Sequence, residues 1–182
     1  ITLEQAKRAN MKSGYDIVKS MEKELDMLKK QKAAYEELAK KQKEYYDLRR
    51  QELLNSDYSN IFTYDEHGLM QYNTEDGKGL DILAALNATD SKGKAKMNAK
   101  QQLAYLQSIG FNTSILTTNA DGTKAKKPED QMQNFWDGID GWMEEMDSLY
   151  DSYHDAAINS EEATEKMNEI LQEYIDNQLE VE

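Results

Sequence analysis

The sequence predicts a mainly α-helical protein, a long antiparallel coiled-coil hairpin with a small α+β tip domain inserted between its two arms. One observation is an unbroken heptad of apolar and small residues that runs from Met132 to Val181. Another is that six of the nine glycines lie between residues 57 and 128. We therefore predict an N-terminal coiled-coil arm over 1–56, the tip over 57–128 and an acidic C-terminal arm over 129–182.

The two predicted arms differ strongly in charge. Residues 129–182 hold 17 Asp and Glu against one base, Lys166, for a net charge of -16, whereas residues 1–56 carry +3. An acidic helix repels a parallel copy of itself, so the first arm is its better partner. At about 1.5 Å per residue each arm spans roughly 80 Å, and matched lengths favour a hairpin. Swapping of the same arms between two chains is the competing arrangement.

The first arm is predicted to be one helix from Thr2 to about Ser56. The Thr2 hydroxyl caps its start, and Gln5 reaches back to the Thr2 amide. An apolar seam begins with Val18, Met21, Leu25 and Leu28. Lys32 then falls where an apolar residue is due, and the stripe resumes at Tyr35, Leu38, Tyr45 and Leu48. This change of phase indicates a stutter in the coiled coil.

Pairing the arms from Ser56 opposite Glu129 gives a predicted register. It places Tyr45 and Tyr46 against Gly138 and Gly141, where large side chains meet small ones. A local kink at the two glycines is the alternative explanation. The residues predicted to pack between the arms are Val18, Met21, Leu25, Tyr45 and Tyr46 on the first arm and Ile139, Trp142, Met146, Leu149, Met167 and Ile170 on the second.

The tip is predicted to contain a hairpin and two short helices. Residues 61–64 and 69–72 flank a turn that ends at Gly68, which is typical of a β-hairpin. Helices are expected over 80–86 and 94–109, the second ended by Gly110. Ile115 and Leu116 are expected to begin another strand, and Pro128 to open the second arm. A tip of about 70 residues is near the minimum size for its own core, so we expect it to rest on the arm ends.

No catalytic, cofactor-binding or metal-binding constellation is found in the sequence. The chain has no cysteine, which excludes disulfides and thiolate chemistry. Asp151 and His154 have the spacing used in diiron helical bundles, but the second such motif is missing and a solvated polar face explains the pair better. Residues 119–122 lack the alternating carboxylates of a calcium loop. We therefore expect no enzymatic activity, no cofactor and no metal.

The expected partners are proteins, including copies of the chain itself. The slight basic bias of the first arm is interleaved with acids, which disfavours nucleic acid as the main partner. No stretch approaches the roughly 18 apolar residues of a membrane span. Trp136 lies off the seam and is a candidate partner contact, although packing of the tip on the arm would also explain it. The start at Ile1 and the uncapped heptad at Val181 suggest a longer parent protein.

The order of these segments resembles that of phage tail tape-measure proteins and of tape-measure-like proteins of prophages. The likeness is carried by a long charged helix with Tyr45-Tyr46-Asp47-Leu48 near its end, a hairpin over 64–72 and a return helix rich in Trp, Tyr and acids. The resemblance implies a structural module that occupies the tail tube and helps to set tail length. It also implies tail-tube or other virion proteins as partners. The location would be the virion, or the host cytoplasm during assembly.

A second hypothesis assigns the chain to a bacterial surface or secreted protein. In that arrangement the hairpin is a stalk and the tip is a knob that recognises a partner. Both hypotheses describe a protein without catalytic activity.

Overall fold

The computed structural model describes residues 2–181, with the side chains at 6, 7, 9, 10, 12, 13 and 177–181 outside that description. In chain order the elements are α1 (Leu3–Leu54), a 3₁₀ turn (Asp57–Asn60), β1 (Phe62–Tyr64), β2 (Met70–Tyr72), α2 (Gly79–Leu86), α3 (Ala99–Ser108), a second 3₁₀ turn (Thr113–Thr117) and α4 (Pro128–Val181). The predicted mainly helical class is confirmed.

The chain divides into two compact units. One unit comprises the N-terminal part of α1 up to Lys43 together with α4 from Asp151 onward. The other is Glu44–Tyr150, which contains the predicted tip and also the adjoining ends of both long helices. The tip therefore shares its unit with about three turns of α1 and six turns of α4.

The ends of the two long helices follow local sequence signals. At the start of α1 the Gln5 amide donates to the Thr2 hydroxyl at 3.2 Å, and the Thr2 amide donates to Gln5 Oε1 at 3.0 Å. This is the predicted capping box, which satisfies two otherwise unpaired amides. α1 ends at Leu54, and α4 opens with Pro128 as predicted.

The predicted heptad is the least exposed face of α4. Phe135 and Met146 are fully buried, and every heptad position from Met132 to Tyr174 is buried or half-buried. The side chains of Asn177 and Val181, the last positions of the prediction, lie outside the described residues. A face of this kind at alternating spacings of three and four is typical of a coiled-coil seam.

The predicted stutter in α1 is wrong. Buried or half-buried positions continue in one heptad phase from Val18 to Leu53, through Lys32, Ala39, Gln42, Tyr46 and Arg49. Leu38, Tyr45 and Leu48 are 45%, 48% and 56% exposed, so Tyr45 does not belong to the seam. The phase is kept because the aliphatic stems of long polar side chains can occupy seam positions while their polar ends remain in water.

The tip contains a two-stranded antiparallel sheet in which Thr63 pairs with Gln71. This confirms the predicted hairpin. α3 starts at Ala99 instead of Lys94, because Asn98 forms a capping box with Gln101 and the Lys94 amide is bonded to the Asp90 carboxylate. It ends as predicted: the Phe111 amide donates to the Leu106 carbonyl at 3.0 Å and the Gly110 amide to Gln107 at 3.1 Å.

The strand predicted at Ile115 and Leu116 is wrong, since these residues belong to a 3₁₀ turn. The Asn112 side chain accepts from the Ser114 amide and thereby starts the turn, and Leu116 is buried at 1% exposure. The 3₁₀ turn capped by the Asn112 side chain therefore forms in place of the extended conformation that the β-branched Ile115 favours.

Three loops of the tip use the same turn, at 65–69, 90–94 and 119–123. In each loop the amide of the first residue donates to the carbonyl of the fifth residue, at 2.9, 2.8 and 2.8 Å respectively. The fourth residue is a glycine, and its amide donates to the carbonyl of the first residue, at 3.0, 3.0 and 2.9 Å. The three glycines have φ angles of 84°, 78° and 86°. This left-handed conformation favours glycine. The common signature is Asp or Asn, two variable residues, then Gly.

Gly138 makes room for Tyr58. A Cβ at residue 138 would lie 2.6 Å from Tyr58 Cζ, whereas a Cβ at Gly141 would have no atom within 4 Å outside its own helix turn. The predicted register, which set Tyr45 and Tyr46 against these glycines, is therefore wrong. A tip residue fills the space at Gly138 because the 3₁₀ turn after α1 directs Tyr58 onto α4.

Gly138→Ala should destabilise the protein, and Gly141→Ala should stabilise it. Each change favours the helix by about 1 kcal/mol, but overpacking against Tyr58 costs about 1–3 kcal/mol. Urea unfolding followed by circular dichroism gives both free energies. A gain of stability in both variants would show that the Tyr58 ring is not confined at Gly138.

Candidate functional site

The candidate site is the junction where the tip meets the ends of the long helices, formed by Tyr46 and Arg49 of α1, Tyr58 of the tip, and Phe135 and Glu145 of α4. All five residues lie within Glu44–Tyr150. We use "junction" for this set. Its contacts determine how the tip is held between α1 and α4.

An aromatic cluster forms the buried half of the junction. The Tyr58 ring stacks on Phe135 with centroids 5.7 Å apart and meets the edge of Phe111 at 5.2 Å. Phe111 and Phe135 are 5.4 Å apart. Phe135 is fully buried, and Tyr58 and Phe111 are each 6% exposed. Aromatic pairs in these geometries add about 0.5–1.5 kcal/mol each beyond the burial of area.

The Tyr58 hydroxyl is buried with this cluster and donates to the Phe135 carbonyl at 3.4 Å. Desolvation, followed by the negative charges of Asp57 and Asp137, raises the pKa of Tyr58 to about 12. Tyr64 also has a pKa raised to about 12 by desolvation, which the positive charge of Arg50 partly offsets. Both phenols therefore stay neutral over the whole physiological range.

Tyr46 connects α1 to the β-hairpin and to α4. It is 2% exposed, and its hydroxyl donates to the Gly68 carbonyl in the hairpin turn. Its ring meets Tyr64 of β1 and Tyr150 of α4 edge-on, at centroid distances of 6.5 and 6.1 Å. The Tyr46 side chain thus contacts the hairpin turn, β1 and α4 within the same unit.

Arg49 is the polar half of the junction. Its Nε and Nη2 each donate to one Glu145 oxygen at 2.7 Å, a bidentate pair, and Nη1 donates to Glu52. The guanidinium also lies 4.7 Å from the centre of the Trp142 ring. The hydrogen bond to Glu145, opposed by desolvation, raises the pKa of Arg49 further above its ordinary value. Planar guanidinium groups suit this combination of carboxylate and aromatic partners.

Arg50 lies against the hairpin on the next position of α1. Its guanidinium is 4.4 Å from the centre of the Tyr64 ring. Arg50 Nε and the Tyr64 hydroxyl are buried, and neither has a hydrogen-bond partner among the residues that the structure describes. The contact is therefore chiefly a cation–π interaction, worth about 0.5–2 kcal/mol.

The residues predicted for arm packing are divided between the two units. Within Glu44–Tyr150, Tyr46, Ile139 and Met146 are buried, and Trp142 and Leu149 are half-buried. Val18, Met21, Leu25, Met167 and Ile170 are half-buried seam positions of the other unit. Trp136 is half-buried, with its ring 5.1 Å from Phe135, so part of its surface contributes to the aromatic cluster.

Sequence reasoning missed Arg49, Glu145 and Tyr58. Arg49 occupies a heptad position, and a charged residue in a seam with a tryptophan and acids on the facing helix is a signal that could have been used. Tyr58 had no comparable signal, because its position depends on the 3₁₀ turn that follows α1.

The junction side chains are two tyrosines, a phenylalanine and one Arg–Glu ion pair. Over residues 2–181, apart from the side chains that the structure leaves undescribed, no group of three or more His, Asp or Glu residues could hold a metal ion. No helix in the described part of the chain is long and apolar enough to cross a bilayer. What the junction can do is hold two helices and the tip in fixed contact.

Arg49→Ala should lower the free energy of unfolding by about 1–2 kcal/mol. Hydrogen bonds to charged groups contribute about 1.5–3 kcal/mol, and this value is reduced because the Glu145 side chain is 36% exposed. Arg8→Ala is the matched control, since its pair with Glu4 at 3.9 Å has both side chains at least 80% exposed. Equal urea midpoints for the two variants would contradict a stabilising junction.

Alkaline pH should unfold the protein through its buried tyrosines. Tyr58 and Tyr64 each have a pKa of about 12 in the folded state, against the ordinary value of 10.0. The stability that the neutral phenols contribute is therefore complete below pH 10 and is lost as pH rises toward 12. Tyr58→Phe should therefore show a shallower loss of stability above pH 10 than the parent. Tyr15→Phe, at a residue that is 66% exposed, is the control and should leave the slope unchanged. Parallel curves for parent and Tyr58→Phe, measured by urea unfolding, would contradict this assignment.

Comparison with known proteins assigns no family or function to this chain, so any functional conclusion rests on the fold and the junction. The chain matches no protein-family model, no curated protein and no solved structure.

Proposed function

We propose that this chain is a non-enzymatic structural module in which α1 and α4 pair as an antiparallel coiled-coil hairpin closed by the tip. The observation that carries the proposal is the heptad of low exposure along both long helices, from Val18 to Leu53 and from Met132 to Tyr174. The helices have 52 and 54 residues, and seams of this length are compatible with each helix burying the seam of the other.

The direction of the junction contacts supports antiparallel pairing. From Tyr46 to Arg49, residue numbers rise along α1, while the residues contacted on α4 fall from Tyr150 to Glu145. Tyr58, which follows α1, contacts Phe135, still nearer the start of α4. Opposite net charges of the two helices favour the same arrangement.

We further propose that the module belongs to a phage tail tape-measure or tape-measure-like prophage protein. The resemblance in the order of the charged helix, the 64–72 hairpin and the acidic return helix supports this assignment. A coiled coil has a fixed rise per residue, which suits a protein that sets a length. Its partners would be tail-tube or other virion proteins, or further copies of itself. Its location would be the virion, or the bacterial cytoplasm during assembly.

Lengthening both arms should lengthen the tail. Two heptads added to each arm at facing positions, in the parent protein within its phage, add about 20 Å of coiled coil at 1.5 Å per residue. Electron microscopy of purified particles measures the mean tail length. The control adds the same number of residues to the exposed loop around Gly93, where the arms are unaffected. Infectious particles with unchanged tails in the arm variant would overturn the tape-measure role.

The three similar loops favour a second candidate function, a stalk-and-knob binding module of a bacterial surface or secreted protein. Their middle positions differ in charge while the turn is retained, and all six are exposed: Glu66 and His67, Ser91 and Lys92, and Ala120 and Asp121. Binding loops are commonly held in this way on a rigid scaffold. A secretion signal in the parent protein would favour this candidate, and genomic neighbours that encode tail-tube proteins would favour the first.

A further inference from the structure

Three small residues of α4 are buried in the unit that lacks the tip. Ala156 is 3% exposed, Ser160 9% and Ala163 4%. They are consecutive heptad positions, and the longer residues of the same seam, Met167 and Ile170, are only half-buried. Small side chains reach such low exposure only when other groups cover them closely. Long or bulky groups on a neighbouring element would give such cover.

α1 has suitable groups in the same unit. Lys32 and Tyr35 are half-buried seam positions, and Ala39 and Gln42 follow them in phase. Residues 3–43 hold eleven Lys and Arg against seven acids, whereas residues 151–181 hold nine acids and Lys166. The Lys32 ammonium group lies 3.8 Å from the Glu36 carboxylate of α1, so its aliphatic stem can cover an alanine while the charged end stays at the edge of the seam.

The junction supplies the register by counting along each helix. Arg49 contacts Glu145 and Tyr46 contacts Tyr150, so facing residue numbers total 194 and 196. If the numbers of two facing residues total 195, each heptad position of α1 lies opposite a heptad position of α4. It brings Lys32 to Ala163, Tyr35 to Ser160 and Ala39 to Ala156, which are the three small buried residues.

We propose that the small surface of Ala156, Ser160 and Ala163 is the docking surface for the Lys32 to Ala39 segment of α1, with Tyr35 seated on Ser160. This proposal rests on the hairpin proposed above and specifies its register.

A slip of one heptad is the nearest alternative register. It would set Tyr35 against Met167 and Lys32 against Ile170, so that two long side chains would share each of two adjacent layers. The same slip would set Tyr46 against Ala156, six residues from Tyr150, whose ring Tyr46 contacts. Ala39 faces an alanine in both registers, so the contact between Tyr46 and Tyr150 is what favours the proposed register.

Introduced cysteine pairs test the register, because the chain has no cysteine of its own. In the proposed register A39C/A156C places both thiols in one layer, and a disulfide needs Cβ atoms roughly 4 Å apart. A39C/A163C is the matched control for a slip of one heptad. After mild oxidation, non-reducing electrophoresis and peptide mass mapping should show an intramolecular disulfide in most A39C/A156C molecules and in few A39C/A163C molecules.

The outcomes separate the register from the hairpin. An intramolecular disulfide formed mainly by A39C/A163C would overturn the register and leave the hairpin standing. Absence of any disulfide, within or between chains, in both variants would overturn both. A disulfide-linked dimer of A39C/A156C would support the register and overturn pairing within the chain.

A second pair of variants keeps the test valid if a cysteine variant folds poorly. A163L should lower the thermal unfolding midpoint by several degrees because leucine cannot fit beneath the α1 side chain. A157L is the control, since Ala157 is exposed one position away from the seam. Equal midpoints would contradict the docking of α1 on this surface.

Discussion

The aromatic contact between the tip and α4 is the constraint on which the junction depends. Phe135 belongs to the α4 seam, yet its ring is surrounded by Tyr58, Phe111 and Trp136. The tip alone cannot complete this cluster, because Phe135 belongs to α4. The helix therefore contributes part of the core of the tip. Gly138, one turn later, completes the fit by leaving space for Tyr58.

Polar contacts then add direction to this apolar attachment. The Tyr46 hydroxyl reaches the Gly68 carbonyl, and Arg49 holds Glu145 through two parallel hydrogen bonds. Such bidentate bonds depend strongly on geometry, so they specify orientation as well as adding stability. Together the two kinds of contact explain why Glu44–Tyr150 forms one compact unit that includes parts of both long helices.

Much of the fold was predictable because its signals are local. The capping box at Thr2, the proline that opens α4, the glycine that ends α3 and the hairpin turn at Gly68 each depend on a few neighbouring residues. The α4 seam was predictable because its apolar residues keep one phase. The α1 seam was not, because Lys32, Gln42 and Arg49 occupy it while Leu38, Tyr45 and Leu48 lie outside it. The junction could not be predicted either, since its contacts join residues distant in the sequence. Arg49 and Glu145, for example, are 96 positions apart.

We expect the tip to be stable only together with the ends of the two long helices. The most direct measurement compares the thermal unfolding of two fragments, 44–150 and 57–128, by circular dichroism and proton NMR. For 44–150 we expect a cooperative transition and dispersed methyl resonances, and for 57–128, which lacks Phe135, Tyr46 and Arg49, we expect neither. Cooperative unfolding of 57–128 with a midpoint equal to that of 44–150 would contradict this expectation.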